Sequence, residues 1–210
     1  MSTLQCTNIQ DTSGGNSLTT SQLYNGAAKA WVNFNENAYT EYIIGILNIA
    51  AGTNDDWGLR VDGTYNYFMF YHYNSANIST VVGGLSTVSI NTWYHVAVTY
   101  VAATKTMTLY RDGVQVAQVN TVNNLVDATN PIAVGAFNST AFFSGIMDEV
   151  RVWSVARTQD QIISTMNSEL SGTESGLIFN YNFNQGIAGG TNTSITSSTN
   201  AQIIDKKTNT

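Results

Sequence analysis

NTWYHVAVTYVAATKTMTLYRDGVQVA, residues 91–117, reads as three strands in a row. From Trp93 to Val101 the residues alternate with period 2. Tyr94, Val96, Val98 and Tyr100 share one face, and Trp93, His95, Ala97 and Thr99 the other. A polar link, Ala102 to Lys105, turns the chain into Thr106–Arg111, where Met107, Leu109 and Arg111 fall on one side. Asp112-Gly113 is a strong hairpin signal, because a type I′ turn needs positive φ at both central residues. Val114, Val116 and Val119 continue beyond it. A meander with aromatic and β-branched residues on both faces belongs in the middle of a sandwich.

The flanking chain extends this pattern. Ala27 to Phe34 reads as a strand carrying Trp31 and Phe34, and Tyr42 to Ala50 as a buried strand bent at Gly45. Trp57 to Val61 is a strand followed by a second type I′-like signal, Asp62-Gly63. In Tyr65–Tyr73, Asn66, Phe68, Phe70 and His72 lie on one face and Tyr65, Tyr67, Met69, Tyr71 and Tyr73 on the other. The tyrosine face is an amphipathic binding surface, an assembly contact, or an inner core face whose hydroxyls reach the rim. Val81–Ser89 reads as a broken strand, Ile132–Phe137 as a strand opened by Pro131, and Gly145–Trp153 as the next. Thr158 with Gln161 forms a capping-box pattern for a helix over Thr158–Glu169, presenting Ile162, Ile163 and Met166 to the sheet. Leu177 to Phe183 is a strand with Leu177, Phe179, Tyr181 and Phe183 inward. A short first strand around Leu4 and Cys6 is expected near a last strand over Ala201–Asp205, with Lys206 to Thr210 frayed. No repeat of about 20–50 residues and no linker interrupts residues 1–210, so one domain is expected.

Three motifs carry a family resemblance. WYHVAVTY followed by LYRDG, then FFSGIMDEVRVWSVARTQDQI (Phe142–Ile162), then GLIFNYNFNQG (Gly176–Gly186) resemble laminin-G-like, concanavalin-A-like jelly-roll domains, relatives of pentraxins and legume-type lectins. Arg157 stands where that family usually has Leu. The resemblance implies an all-β jelly-roll sandwich of two antiparallel sheets with one short helix near 158–169. The opening, STLQCTNIQDTSGGNS with GAAKAWVNFN, is similar to openings of bacteriophage tail-fibre and other virion-surface proteins, and covers about residues 1–35. That likeness implies a protein made in the cytoplasm and released by lysis.

Composition narrows the function. Charged residues make up 10% of the 210 and the net charge is −6, against about 25% charged in ordinary soluble domains. A chain of this size buries roughly 70% of its unfolded surface. No basic run supports a phosphate backbone as partner, and no apolar run of about 18 residues suits a membrane helix. The single cysteine, Cys6, excludes an intrachain disulfide; it is a small apolar strand residue, an interchain bridge or a reactive thiol. MSTLQCTNIQ lacks the charged and apolar regions of a signal peptide.

Catalytic constellations are sparse. Glycan hydrolysis needs two carboxylates roughly 5–10 Å apart. The resemblance would place them in an E-x-D-x-x-E motif, which is absent, and no two acids stand at i, i+2. Asp148 and Glu149 are adjacent and therefore expected on opposite faces. By resemblance to the pentraxin-like site, Asp148 can ligate Ca²⁺ with loop oxygens from Asn138, Asn54, Asp55 or Asp56. Alternatively one of these carboxylates pairs with Arg151 or Arg157, or caps backbone amides near the helix. His72 and His95 lack zinc spacing, and His95 reads as a hydrogen-bonded core histidine. Trp57, beside Asn54-Asp55-Asp56, either stacks on a sugar or fills the core. Three N-x-S/T sites, at Asn77, Asn138 and Asn192, carry little weight in so Asn/Thr-rich a chain.

The expectation is a non-catalytic recognition or adhesion module on a virion surface, of tail-fibre or capsid-decoration type. It would bind glycans, cell-surface polysaccharide or neighbouring subunits, including copies of itself. Tyr71, Tyr73, Trp57, Asn54, Asp55 and Asp56 are its candidate ligand residues. A cellular or secreted, calcium-dependent lectin-like carbohydrate-binding module is the alternative, and a glycan hydrolase a third reading; the expected location is extracellular or on a virion surface.

Overall fold

The computed structural model describes residues 26–36, 39–46, 57–73, 79–84, 86–121, 132–137 and 141–182. Among the described residues, thirteen strands and one helix follow in order: β1 (Ala27–Phe34), β2 (Glu41–Ile46), β3 (Trp57–Asp62), β4 (Tyr67–Tyr73), β5 (Ser79–Gly83), β6 (Trp93–Val101), β7 (Thr106–Arg111), β8 (Val114–Asn120), β9 (Ile132–Val134), β10 (Ala136–Phe137), β11 (Ala141–Phe142), β12 (Gly145–Trp153), α1 (Gln159–Met166) and β13 (Leu177–Tyr181). They form a six-stranded sheet, β13-β12-β1-β6-β7-β8, a five-stranded sheet, β5-β4-β3-β2-β9, and a ribbon of β10 and β11, every pair antiparallel.

Period-2 alternation makes the sandwich. One face of β1 (Ala28, Ala30, Val32, Phe34) and of β6 (Tyr94, Val96, Val98, Tyr100) meets Trp57, Leu59, Val61, Phe68 and Phe70 of the facing sheet in one core. Phe34, Phe68 and Tyr94 bridge the sheets, with ring centroids 6.0 and 5.7 Å apart. Each such side chain contributes about 1.5–3 kcal/mol on burial, whereas an exposed ion pair gives about 0–1, so the core holds the sheets together.

The 91–117 meander forms as read, and its turn has Asp112 at φ 51° and Gly113 at 78°. Asp112 also clamps the neighbouring strand: its Oδ1 accepts from the His95 amide at 2.9 Å. The meander is not central, however. It fills one side of the six-stranded sheet and ends at the edge strand β8, where Val114 is exposed. Asp62-Gly63 makes no type I′ turn. The Asp62 carboxylate accepts the Thr64 and Tyr65 amides, and the left-handed residue is Asn66, at φ 57°. Glycine is still required at 63, because a Cβ there would stand 2.4 Å from the Tyr39 carbonyl carbon. The strand expected over Ile132–Phe137 breaks at Gly135, φ 69°. The strands expected around Leu4 and over Ala201–Asp205, and the residues Pro131 and Phe183, lie outside the described residues.

The capping box forms at Thr158 and Gln161. Ile162 packs on Ala97 and Tyr110, while Ile163, 46% exposed, and Met166 lie at the rim beside Gly113 of the β7–β8 turn. No basic residue lies in the helix's last turn. The sheet below supplies the cations instead. Lys29 Nζ and Arg151 Nη1 each donate to the Thr165 carbonyl at 2.8 Å, and Trp31 Nε1 donates to that of Met166 at 2.7 Å. These donors satisfy terminal carbonyls and oppose the negative end of the helix dipole.

Candidate functional site

Alternation along β4 turns Phe68 and Phe70 into the core and Tyr67, Met69, Tyr71 and Tyr73 to the other side of the five-stranded sheet. The tyrosine face is therefore not an inner core face. Two glycines make room for its rings. A Cβ on Gly58 would stand 2.8 Å from the Tyr71 ring, and one on Gly83 would stand 2.8 Å from the Tyr67 ring. Each ring thus covers bare backbone on a neighbouring strand. The Arg60 guanidinium lies over the rings of Tyr71 and Tyr42, at 4.8 and 5.6 Å. It donates to Tyr42 Oη at 2.8 Å and to Met69 Sδ at 3.4 Å, and pairs with Asp62 at 3.6 Å. Tyr71 meets Tyr42 and Tyr73 edge-on, and Tyr65 stacks on Tyr67 with 17° between the planes.

The strip has two levels. Tyr42 and Tyr71 are its foundation, Tyr71 being only 3% exposed. Tyr67 and Tyr73 are half-buried, and Tyr65, at 62%, stands in solvent on the turn braced by Asp62. The seven residues of β4 span about 20 Å. Ring pairs worth about 0.5–1.5 kcal/mol each and cation–π contacts of about 0.5–2 fix the geometry before any ligand arrives. Flat phenol faces with hydroxyl edges suit a ligand with apolar C–H faces and many hydroxyls.

The expected site residues separate. Tyr71 and Tyr73 come together on the strip with Tyr67 of the same face, joined by Tyr42 and Arg60, which the sequence did not point to. The register across the β3–β4 hairpin, which sets Gly58 opposite Tyr71 and Arg60 opposite Met69, was the available signal. Trp57 takes the core position of its two expected places. It lies on the inner side of β3, 2% exposed, with its ring 6.0 Å from Phe70. Asn54, Asp55, Asp56 and Asn138 lie outside the described residues. Asp148 stands on the six-stranded sheet opposite Trp31, and its Oδ1 accepts the Glu149 amide at 2.8 Å. Burial raises its carboxyl above the usual range. Among the described residues, no group of three or more His, Cys, Asp or Glu is placed to hold a metal ion.

Asp148 and Glu149 do not point to opposite faces. β12 has a bulge against β1, and Glu149 takes φ 52°. Its carboxylate then bonds Arg151 on the face that bears α1. Arg151 is fully buried and also donates to Asn180 Oδ1 and the Ser168 carbonyl. Burial, and then the charge of Arg151, lowers Lys29 to about 7. Burial likewise pushes the Glu41 carboxyl up to about 7, although it accepts the Ser144 amide.

His95 is buried beside this network, edge-on to Trp31 at 5.4 Å, and neither ring nitrogen has a hydrogen-bond partner. The expected hydrogen-bonded histidine is therefore a packed, neutral ring. Burial, followed by the charges of Lys29 and Arg151, lowers it to about 3. As pH falls through the unfolded value of 6.5, the unfolded chain takes the proton first. The stability tied to a neutral His95 is present above that pH and drains away towards 3. Glu41 runs the opposite way, holding its proton longer when folded. A His95→Phe variant isolates the histidine: its melting point should fall less than the wild type's between about pH 7.5 and about pH 4.5. Equal falls would refute the assignment.

Two antiparallel sheets around one core, with a short helix on the larger sheet, define a jelly-roll sandwich. Residues 10–163 match the profile of the concanavalin A-like lectin/glucanases superfamily, and the chain belongs to that family. Among solved structures it is similar to a proposed carbohydrate binding protein from Bacteroides ovatus, with TM-score 0.64 and 22% identity over 84% of this chain and 48% of that one. It thus spans about half of that protein's length. It is also similar to the CBM40 of Ruminococcus gnavus IT-sialidase bound to α2,3 sialyllactose (0.59, 13%, 69% and 83%). A heptameric SAP-like pentraxin from Limulus polyphemus is a further likeness (0.52, 16%, 70% and 70%). Comparison with curated proteins gave no match. At these identities the likenesses concern the fold alone.

Proposed function

We propose that this chain is a non-catalytic recognition module that binds glycans along the tyrosine strip, and that it works in adhesion on a virion surface. The strip carries the reading: preset rings of Tyr65, Tyr67 and Tyr73, set along a strand about 20 Å long, accommodate an oligosaccharide better than a single sugar. The carbohydrate-binding proteins among its structural likenesses support a glycan as partner. A binding rather than a hydrolytic role is supported by the adjacent acids Asp148 and Glu149, which serve their own backbone and Arg151. The likeness of the opening segment to virion-surface proteins supports the location.

Affinity electrophoresis in gels containing polysaccharide tests the binding. A Tyr65→Ala, Tyr73→Ala double variant should lose about tenfold to a hundredfold in affinity per folded molecule, at about 1 kcal/mol per ring, and its melting point should fall by only a few degrees. Undiminished retention would remove the strip from the reading, and no retention on any glycan would remove the reading itself. If the strip is instead a contact between subunits, the same variant changes sedimentation and leaves retention alone. The location stands or falls on whether mass spectrometry finds the chain in purified particles.

A further inference from the structure

We infer that the glycan taken by the tyrosine strip is uncharged, rather than sialylated, uronic or sulfated; this rests on the glycan-binding reading of the strip. An acidic sugar is held by Lys or Arg donors that face it with no other carboxylate to serve. The chain has 8 such residues. Lys206 and Lys207 lie outside the described residues, which leaves Lys29, Arg60, Lys105, Arg111, Arg151 and Arg157.

Arg60 is the one described cation on the strip, and its charge is already matched. Asp62 faces it at 3.6 Å, the Tyr42 hydroxyl and Met69 sulfur each take one of its N–H donors, and two tyrosine rings cover its plane. Its Nε is buried, out of a ligand's reach. The other five sit on the six-stranded sheet or the loops that leave it. Lys29 and Arg151 lie beneath α1. Arg111 lies over Tyr94 and pairs with Asp112, Arg157 stacks on Trp153 at 4.2 Å, and Lys105 stands on the turn between β6 and β7. A net charge of −6 adds a field that repels anions. What the strip does offer, ring faces and phenol hydroxyls, serves neutral sugars.

The test uses pairs matched in sugar chain and different in charge: hydroxyethyl against carboxymethyl cellulose, methyl-esterified against free polygalacturonate, lactose against sialyllactose. Titrations run at low and high salt, with EDTA and then with calcium. The neutral member should bind at least about tenfold tighter, with no loss at high salt. Asp62→Asn keeps the side-chain oxygen that braces the turn but frees the Arg60 charge, and should narrow the gap severalfold. An acidic member that binds as well as its neutral partner, whether weakened by salt or dependent on calcium, overturns the inference and leaves glycan binding intact. An unchanged gap in Asp62→Asn also counts against it. If neither member of any pair binds, the glycan-binding reading itself fails.

Discussion

Replacing Arg151 by alanine should cost about 3–5 kcal/mol, because it strands a buried partner as well as removing a bond. Arg151 is fully buried, and its donors serve the Glu149 carboxylate, the Asn180 amide oxygen and two carbonyls at the end of α1. Without it, Glu149 keeps its desolvation and loses its counter-charge. A domain with about 5–15 kcal/mol in total loses a large part of it. Urea midpoints measure the effect. Adding Glu149→Gln should return part of the loss, since the pair is coupled. A cost below about 1 kcal/mol would mean that the network is slack.

Trp57→Ala should be comparably severe, at about 3–5 kcal/mol, the cost of emptying a large aromatic site in a core. The measurement decides between two roles. A core residue lowers the melting point and leaves glycan affinity per folded molecule unchanged; a sugar platform does the reverse. Trp57 Nε1 has no hydrogen-bond partner, so Trp57→Phe strands no acceptor and should be milder than Trp57→Ala. A selective loss of glycan binding with unchanged stability would contradict its place between the sheets.

Where local pattern decides, sequence reading located the elements. β1, β6, β7 and β12 begin and end at the expected residues, because alternation and turn chemistry are properties of neighbouring positions. The capping box at Thr158 was legible for the same reason. Non-local pairing was not. Nothing in MDEVR signals that Glu149 takes a left-handed backbone, since no glycine marks the place. Asp62-Gly63 has hairpin chemistry, yet the carboxylate of Asp62 folds a longer turn around itself. Of the strip, Tyr71 and Tyr73 were visible from β4 alone. Tyr42 and Arg60 belong to it only through the register of three strands. Trp57 was ambiguous because a residue at a strand's first position can face either layer until its partner strand is placed.

The way α1 is tied down bears on how the chain reaches its native state. Lys29 is separated by 136 positions from the carbonyl it holds, and the helix has only eight residues, fewer than the about 12–15 that persist alone in water. In the nascent chain that segment has little reason to stay coiled. It gains its final turn only after β1 and β12 have paired, and so it should assemble late, as a latch on a sheet already closed.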